Sequence, residues 1–435
     1  MGSGRPDARR RWAPLLVGCL VVLATFVGHD AASSSHAGGD SRWTTYQSMS
    51  LLKDRTLTLE RWRDVIERNP IHSTTNEHGH LINVFPWGTA VVIAPVMAVL
   101  AGIDKVQGRS LEADLRGNFP PKEVENTTAS VLVALTAGLL YLIAWWELGS
   151  VLGAAAMALA FAFATSAFST ASRNLWSHGP ALLVISAELA ILVWARPRPD
   201  RPGRRDRLVP LLGPLFVLAY AVRPTTAVIA VAFTAVVAVS HRRWLPLVIG
   251  GGAVAGAAYF AANLATFQQL QPAYYSPGRL TGSGTFFEGL AGNLISPQRG
   301  LLVWCPMALL AVVGVAVAYR RRRFDVLTGG LVVAVVAYWL VISTLDPWWA
   351  GFSVGPRLFT DAVPLLFVLS LPAVEVLRRR GWATRGAVGV MVAFSLFTNY
   401  RGATRFETQQ WNELPVDVHQ HPDRMWDWGD LQFLR

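Results

Sequence analysis

Residues 127–147 read TTASVLVALTAGLLYLIAWWE, a run of 21 residues in which the only charged residue is the final glutamate. A helix of this length spans about 30 Å, the thickness of the hydrocarbon core of a bilayer. Similar apolar runs recur along the whole chain. Because lipid offers no hydrogen-bond partners, the backbone of each run must bond within its own segment, which predicts a helix. The alternating pattern of a membrane β-barrel does not occur in the sequence.

The composition excludes an ordinary soluble globular protein. The chain has 435 residues, of which 52% are hydrophobic and 15% charged. In soluble domains about a quarter of the residues are charged. Two cysteines, Cys19 and Cys305, lie in apolar segments and therefore predict neither a disulfide framework nor a metal cluster. The net charge of +11 comes largely from arginine clusters beside apolar runs, at residues 9–11, 196–207, 242–243, 320–323 and 378–380.

These arginine clusters predict orientation rather than nucleic-acid binding. Short loops rich in arginine stay on the cytoplasmic side of a membrane. If every apolar segment crossed the bilayer, the later clusters and the amino-terminal arginines would disagree about which side is cytoplasmic. One segment therefore fails to cross, and residues 85–103 fit best because they begin Phe85-Pro86-Trp87-Gly88 and contain Pro95. The twelve apolar segments are 13–28, 85–103, 127–147, 151–169, 181–194, 208–222, 225–240, 245–263, 300–319, 326–344, 358–377 and 386–398.

The predicted fold is an all-α polytopic membrane protein with about 11 transmembrane helices and one re-entrant or interfacial segment. Residues 1–12 form a cytoplasmic amino terminus, and residues 13–398 form the membrane domain. Residues 29–84 are its long first extracytoplasmic loop, and residues 399–435 are an extracytoplasmic tail. We expect a multi-pass protein of the plasma (inner) membrane, with its chemistry on the outer face because the polar, aromatic-rich loops collect there.

An acidic residue follows the first span in the sequence Gly38-Gly39-Asp40-Ser41-Arg42. A carboxylate near the lipid headgroups can act as a general base by taking a proton from an attacking hydroxyl. Asp40 is our choice, and Asp30, Asp54 and Asp64 are alternatives in the same loop. A structural role for Asp40 in a loop turn remains equally open.

Several short motifs follow one another in an order that resembles the GT-C superfamily of membrane glycosyltransferases, which use lipid-phosphate-linked sugars. The chain is most similar to a bacterial subgroup related to protein mannosyltransferases and aminoarabinose transferases. Each motif is short, and their order carries the resemblance over nearly the whole chain. The motifs are residues 40–46 with 50–53, 85–88 with Pro95, 174–178, 223–224, 296–302, and 348–351 with 355–357.

The resemblance implies a GT-C-like bundle and an inverting hexosyl- or pentosyltransferase with Asp40 as catalytic base. The donor would be a polyprenyl-phosphate-linked sugar, and the acceptor a hydroxyl of an extracytoplasmic glycan, lipid or protein. Many relatives have a second acidic residue where this chain has Ser41, which puts a metal-assisted or two-carboxylate mechanism in doubt. We predict no cofactor and no metal ligands, and a divalent cation remains open. The lipid bilayer is an expected partner, and nucleic acid is not.

Arginine suits the leaving phosphate because its planar guanidinium stays charged and donates two parallel hydrogen bonds. Arg357, Arg299 and Arg223 are the predicted phosphate-binding residues. The alternative is that Arg357 and Arg299 only extend to the interface or cap helices. The predicted sugar- or acceptor-binding residues are Trp348, Trp349, Tyr46, His178 and Arg173.

Each of the binding-site predictions has a structural alternative. Tryptophan is common at membrane–water interfaces, and a lone histidine is more often a hydrogen-bonded structural residue. Two other functions stay open. A lipid-linked-sugar flippase or transporter would place ionisable residues in several spans, whereas the sequence shows Glu188 and little else. An oligosaccharide polymerase or ligase would share the lipid-phosphate donor and the outer face.

Overall fold

The computed structural model describes residues 8–32, 39–71, 73–76, 78–196, 206–272, 274 and 285–435. In these residues the regular secondary structure is helical apart from one antiparallel pair of short strands, β1 (Ser73–Thr75) and β2 (Leu81–Asn83), with Thr74 opposite Ile82. The helices are α1 (Ala8–Asp30), α2 (Thr44–Asp54), α3 (Arg63–Arg68), α4 (Gly88–Val106), α5 (Leu111–Gly117), α6 (Lys122–Leu148), α7 (Val151–Phe163), α8 (His178–Ala195), α9 (Leu212–Val222), α10 (Ala227–Ser240), α11 (Leu245–Phe267), α12 (Phe286–Ile295), α13 (Leu301–Trp304), α14 (Leu309–Arg320), α15 (Val326–Ile342), α16 (Val363–Leu377), α17 (Trp382–Thr404) and α18 (Phe406–Gln410).

Within the described residues, six helical stretches are long and apolar enough to cross a membrane. The prediction of an α-helical membrane protein is confirmed at this level, and the count of eleven crossings stays a prediction. Shorter apolar helices occupy Val151–Phe163, Pro224–Ser240, Pro306–Arg320 and Val326–Ile342. The six candidate spans are Trp12–Asp30, Gly88–Val106, Lys122–Leu148, His178–Ala195, Arg242–Phe267 and Arg357–Leu377.

In two apolar segments that the sequence predicts as continuous helices, the helix is interrupted. In segment 300–319, α13 ends at Trp304 because Pro306 disfavours helical backbone at the preceding Cys305, whose φ and ψ are −138° and 63°. In segment 151–169, α7 ends at Phe163 and a π-helical turn follows at Ala167–Ala171. The hydroxyl of Ser169 in this turn donates to Asn399 of α17 at 2.8 Å.

Small residues bring several helices into close contact. A Cβ added at Gly314 of α14 would lie 1.9 Å from the carbonyl oxygen of Leu369 in α16. A Cβ at Gly213, at the start of α9, would lie 2.0 Å from the carbonyl oxygen of Val248 in α11. Such contacts are typical of membrane helices, which associate through close packing rather than through hydrophobic burial.

The helix α4 lies beside a loop layer made of α2, α3, β1, β2 and α5. Its first residue, Gly88, is packed against the backbone of Ala221 at the end of α9. After α4 the chain enters α5 within four residues (107–110). There the carbonyl of Leu115 accepts a 2.8 Å hydrogen bond from the Tyr46 hydroxyl of α2. The start of α4 therefore packs against the end of α9, and the helix that follows α4 is bonded to α2.

The residues after α17 fold back onto residues 296–304. Ser296 donates to the carbonyl of Met425 at 2.6 Å, and the Gln298 amide donates to the carbonyls of Asp427 and Asp430 at 2.8 and 3.1 Å. Trp411 packs in a cluster with Trp348 and Met425. The tail is thus part of the folded bundle end that carries the loop layer.

Candidate functional site

A small cleft of about 40 Å³ opens between segments that are far apart in the sequence. The turn that carries Asp40, the start of α2, the chain before α4, the segment before α8, the α9–α10 connection and the segment before α16 each contribute side chains. The lining residues are Asp40, Thr44, Phe85, Pro86, Thr89, Leu175, Trp176, Ser177, Arg223, Tyr274 and Arg357. Three of the predicted site residues, Asp40, Arg223 and Arg357, thus lie together.

Asp40 lies in a single 3-10 turn, Gly39–Ser41, just before α2. The neighbouring Ser41 hydroxyl is buried and donates to Glu125 Oε2 of α6 at 3.0 Å, which fixes the turn to the bundle. The Asp40 side chain itself is 34% exposed, so it faces the cleft and remains within reach of a ligand.

The guanidinium of Arg357 is held on several sides. Its Nη2 donates to Asp40 Oδ2 at 2.9 Å, and its Nε donates to His178 Nε2 at 3.4 Å. The central carbon of the guanidinium, Cζ, lies 3.7 Å from the centre of the Trp176 ring, a cation–π contact. The approach of the chain depends on Gly355, whose φ of +58° disfavours any residue with a side chain. The predicted phosphate-binding arginine and the predicted base are therefore in direct contact.

A buried carboxylate that the sequence analysis did not single out lies beneath the two cleft arginines. Asp361 accepts hydrogen bonds from His178 Nδ1 at 2.8 Å and from the Tyr338 hydroxyl at 2.5 Å. Its Oδ2 is 2.6 Å from Arg223 Nε. The available signal was an acidic residue inside the apolar segment 358–377, since an ionisable group there is usually paired and functional.

The contacts of the other acidic candidates distinguish them from Asp40. Asp30 accepts a hydrogen bond from Thr127 at 2.8 Å, and Asp54 forms a salt bridge with Arg61. Asp64 pairs with Arg116 at 2.5 Å. None of the three lines the cleft.

Tyr46 and Arg173 are predicted binding residues that do not line the cleft. Tyr46 is fully buried against Trp62 in the loop layer, and burial raises the pKa of its hydroxyl. Arg173 is also fully buried and donates to the carbonyls of Ala32, at 2.6 Å, and His29. Burial lowers the pKa of Arg173 to about 10, which leaves it charged at neutral pH. In these contacts it ties the end of α1 to the segment before α8.

Arg299 lies in the contact between the tail and the bundle rather than in the cleft. Its guanidinium donates to the side-chain oxygens of Gln432 and Asn412, both at 2.6 Å, and to the carbonyl of Trp349 at 3.1 Å. Burial, together with the charge of Arg357, lowers its pKa to about 9, so it also remains charged at neutral pH.

Trp348 and Trp349 belong to the same contact with the tail. Trp348 is fully buried, and its ring packs against Trp426 and against Gly292 of α12. Trp349 lies 6.2 Å from His419, measured between ring centres. Neither tryptophan lines the cleft. His178 lies one layer beneath it and contacts it through Arg357.

A larger cleft of about 720 Å³ opens where α6, α14, α15 and α16 meet near the arginine-rich loops. Several charged residues at its rim form ion pairs: Arg196 lies 2.6 Å from Asp325, and Glu375 lies 3.1 Å from Arg321 and 3.0 Å from Arg323. The charged residues of the smaller cleft are paired as well, and we take it as the candidate site because it brings together Asp40, Arg223 and Arg357, three residues that the sequence analysis predicted.

Among the described residues, no three His, Cys, Asp or Glu side chains are grouped closely enough to hold a metal ion. No protein-family model matches the chain, and no curated protein matches its sequence.

Proposed function

We propose that this chain is an integral membrane glycosyltransferase that moves a sugar from a polyprenyl-phosphate donor to an acceptor hydroxyl on the extracytoplasmic face. Asp40 is the general base, and Arg357 and Arg223 bind the leaving phosphate. The acceptor is a cell-envelope glycan, lipid or protein. The order of the motifs supports the GT-C assignment and the inverting course, and the cleft supports the division of roles.

The observation that carries the proposal is the contact between Asp40 and Arg357 in one cleft, although the two residues are 317 positions apart in the chain. A carboxylate activates a hydroxyl by accepting its proton. A guanidinium stabilises the charge that grows on the phosphate as the glycosidic bond breaks. Both requirements of the transfer are met by side chains at the same place.

The direct contact between Asp40 and Arg357 belongs to the enzyme before the donor binds. In an inverting displacement the base and the leaving group lie on opposite faces of the sugar carbon, and paired catalytic groups in inverting glycosidases are roughly 6.5–9.5 Å apart. The 2.9 Å ion pair leaves no room for a sugar between its partners. Binding of the donor phosphate to Arg357 therefore has to release Asp40.

The same proposal includes a topology. The protein has eleven crossings, with α4 as the segment that does not cross, a cytoplasmic amino terminus and an extracytoplasmic tail in the plasma (inner) membrane. Two contacts support this arrangement: Gly88 at the start of α4 packs against Ala221 at the end of α9, and Leu115 of α5, the helix that follows α4, accepts the hydrogen bond of Tyr46 in the loop layer.

The test is transfer of radiolabelled sugar from synthetic polyprenyl-phosphate sugars to a membrane extract by the purified protein. Removing a general base lowers the rate by roughly 10²- to 10⁴-fold, the result expected for Asp40→Asn. Asp54→Asn is the matched control, since Asp54 pairs with Arg61 away from the cleft. Full activity of Asp40→Asn would contradict the assigned base, and absence of transfer with every donor would contradict the enzyme class.

One observation favours a lipid-linked-sugar flippase as the second candidate. Glu188 of α8 is 1% exposed, and its Oε1 has no hydrogen-bond partner among the described residues. A carboxyl inside a span is expensive and typical of transport pathways. Movement of a fluorescent lipid-linked sugar between the leaflets of proteoliposomes, lost in Glu188→Gln and retained in Asp40→Asn, would favour this function over transfer.

A further inference from the structure

We infer that Asp361 is a positioning residue that orients both cleft arginines toward the donor's leaving phosphate. This inference rests on the proposed function. Asp361 is fully buried and does not line the cleft, so it does not touch substrate. It contacts Arg223 directly and Arg357 through one intervening side chain, His178.

The direct contact orients Arg223. The Oδ2 atom of Asp361 lies 2.6 Å from Arg223 Nε, and Arg223 is 7% exposed. Removing one partner of a buried ion pair is strongly destabilising, because the other charge is left without compensation. Arg223 Nη1 also donates to the Ser177 hydroxyl at 3.2 Å, so the guanidinium is held from two sides while it lines the cleft.

The indirect contact orients Arg357. The His178 Nδ1 to Asp361 Oδ1 distance is 2.8 Å, so Nδ1 carries a proton and donates it to the carboxylate. The hydrogen bond made by one ring nitrogen sets the protonation of the other, which leaves Nε2 of the neutral ring as an acceptor. Nε2 faces Arg357 Nε at 3.4 Å and accepts its N–H. Asp361 thus determines, through the tautomer of His178, how the guanidinium lies over Trp176.

The remaining contact keeps the carboxylate itself in place. The Tyr338 hydroxyl donates to Asp361 Oδ2 at 2.5 Å and so connects α15 to the segment before α16. With donors from His178, Tyr338 and Arg223 around it, Asp361 has no face left for a substrate hydroxyl. One buried group therefore serves both phosphate-binding arginines without taking part in proton transfer.

Positioning and simple charge predict opposite results when Asp361 becomes neutral. Asp361→Asn removes a negative charge near the site, so electrostatic attraction alone would make an anionic lipid bind more tightly. If Asp361 acts by orienting the arginines, the same change weakens binding, since a displacement of about 1 Å can cost up to roughly 100-fold. The direction of the change therefore separates the two explanations.

The experiment measures binding of a synthetic polyprenyl phosphate to the purified full chain, together with the KM values of donor and acceptor. For Asp361→Asn we expect affinity weakened roughly 10- to 100-fold, a raised donor KM and an unchanged acceptor KM. In an Arg223→Gln, Arg357→Gln background the added Asp361→Asn change should have little further effect, because residues that act as a unit are not additive.

Two further variants keep the test decisive. Thr360→Val removes a neighbouring buried hydrogen bond, 2.9 Å long, to Ser166 and should lower stability without changing the donor KM. If Asp361→Asn does not fold, Tyr338→Phe retains the charge and should still weaken polyprenyl phosphate binding measurably. Unchanged or tighter binding in the folded Asp361 or Tyr338 variant would overturn this inference but would leave the proposed function standing. Wild-type protein that neither binds polyprenyl phosphate nor transfers sugar would overturn the proposed function with it.

Discussion

At the scale of single residues, the guanidinium of Arg357 makes contacts that oppose one another in function. The cation–π contact with Trp176 and the bond to His178 hold it in place, whereas the ion pair with Asp40 occupies an edge that a phosphate would need. The carboxylate and the phosphate therefore compete for the same cation. Competition of this kind is measurable by binding alone.

We expect Asp40→Asn to bind polyprenyl phosphate several-fold more tightly than wild type while transfer is lost. The gain in affinity should shrink in an Arg357→Gln background, because the Asp40 carboxylate competes with the phosphate for that arginine. A double-mutant cycle on the dissociation constants gives this coupling, which is about 0.5–3 kcal/mol for residues in contact. An equal gain in both backgrounds would indicate repulsion through space and would contradict release of an ion pair.

A second residue-scale prediction concerns Arg299. Arg299→Met leaves the buried side-chain oxygen of Asn412 without its donor, whereas that of Gln432 keeps the Gly355 amide; a buried acceptor without a partner costs about 1–3 kcal/mol. We expect a lower melting temperature and faster proteolysis of the tail, with polyprenyl phosphate affinity close to wild type. Arg223→Met is the control and should weaken binding. Equal loss of binding in both variants, with the Arg299→Met tail intact, would show that Arg299 contacts the phosphate.

At the scale of elements, close approach of helix backbones holds the bundle together where α14 meets α16. Gly314→Ala places a methyl group 1.9 Å from the Leu369 carbonyl oxygen, so the helices must separate. Overpacking of this kind costs about 1–3 kcal/mol or more. The matched change Gly389→Ala, in α17, meets nothing within 4 Å and should be neutral or stabilising by up to about 1 kcal/mol. Thermal unfolding in detergent compares the two, and similar midpoints would contradict the packing described for α14 and α16.

At the scale of the whole molecule, the proposed topology places both ends of α4 outside. In a protein without Cys19 and Cys305, single cysteines replace exposed residues at Gln107, Gly381 and Asp423. A maleimide that does not cross membranes should label Gln107→Cys and Asp423→Cys in intact cells. Gly381→Cys, beside the arginines at 378–380, should react only after permeabilisation. Protection of Gln107→Cys in intact cells would show that α4 crosses the bilayer.

The sequence by itself determined that the protein is a helical membrane protein, because hydrophobicity and the need to satisfy backbone amides act within each segment. Residues 127–147 predict a helix wherever they lie, and α6 covers them. The same local logic identified Arg223 and Arg357 at the ends of apolar segments and Asp40 in the loop after the first span. It did not indicate which of them would meet.

Only the tertiary structure decided how these side chains are grouped, because contacts between residues far apart in the chain depend on how helices pack. It placed Asp40 against Arg357, buried Arg299 in the contact with the tail, and brought His178 to Asp361, which lies 183 positions away. A buried carboxylate is stable only where donors surround it, and those of Asp361 come from three different elements. No local pattern in the sequence specifies such a meeting.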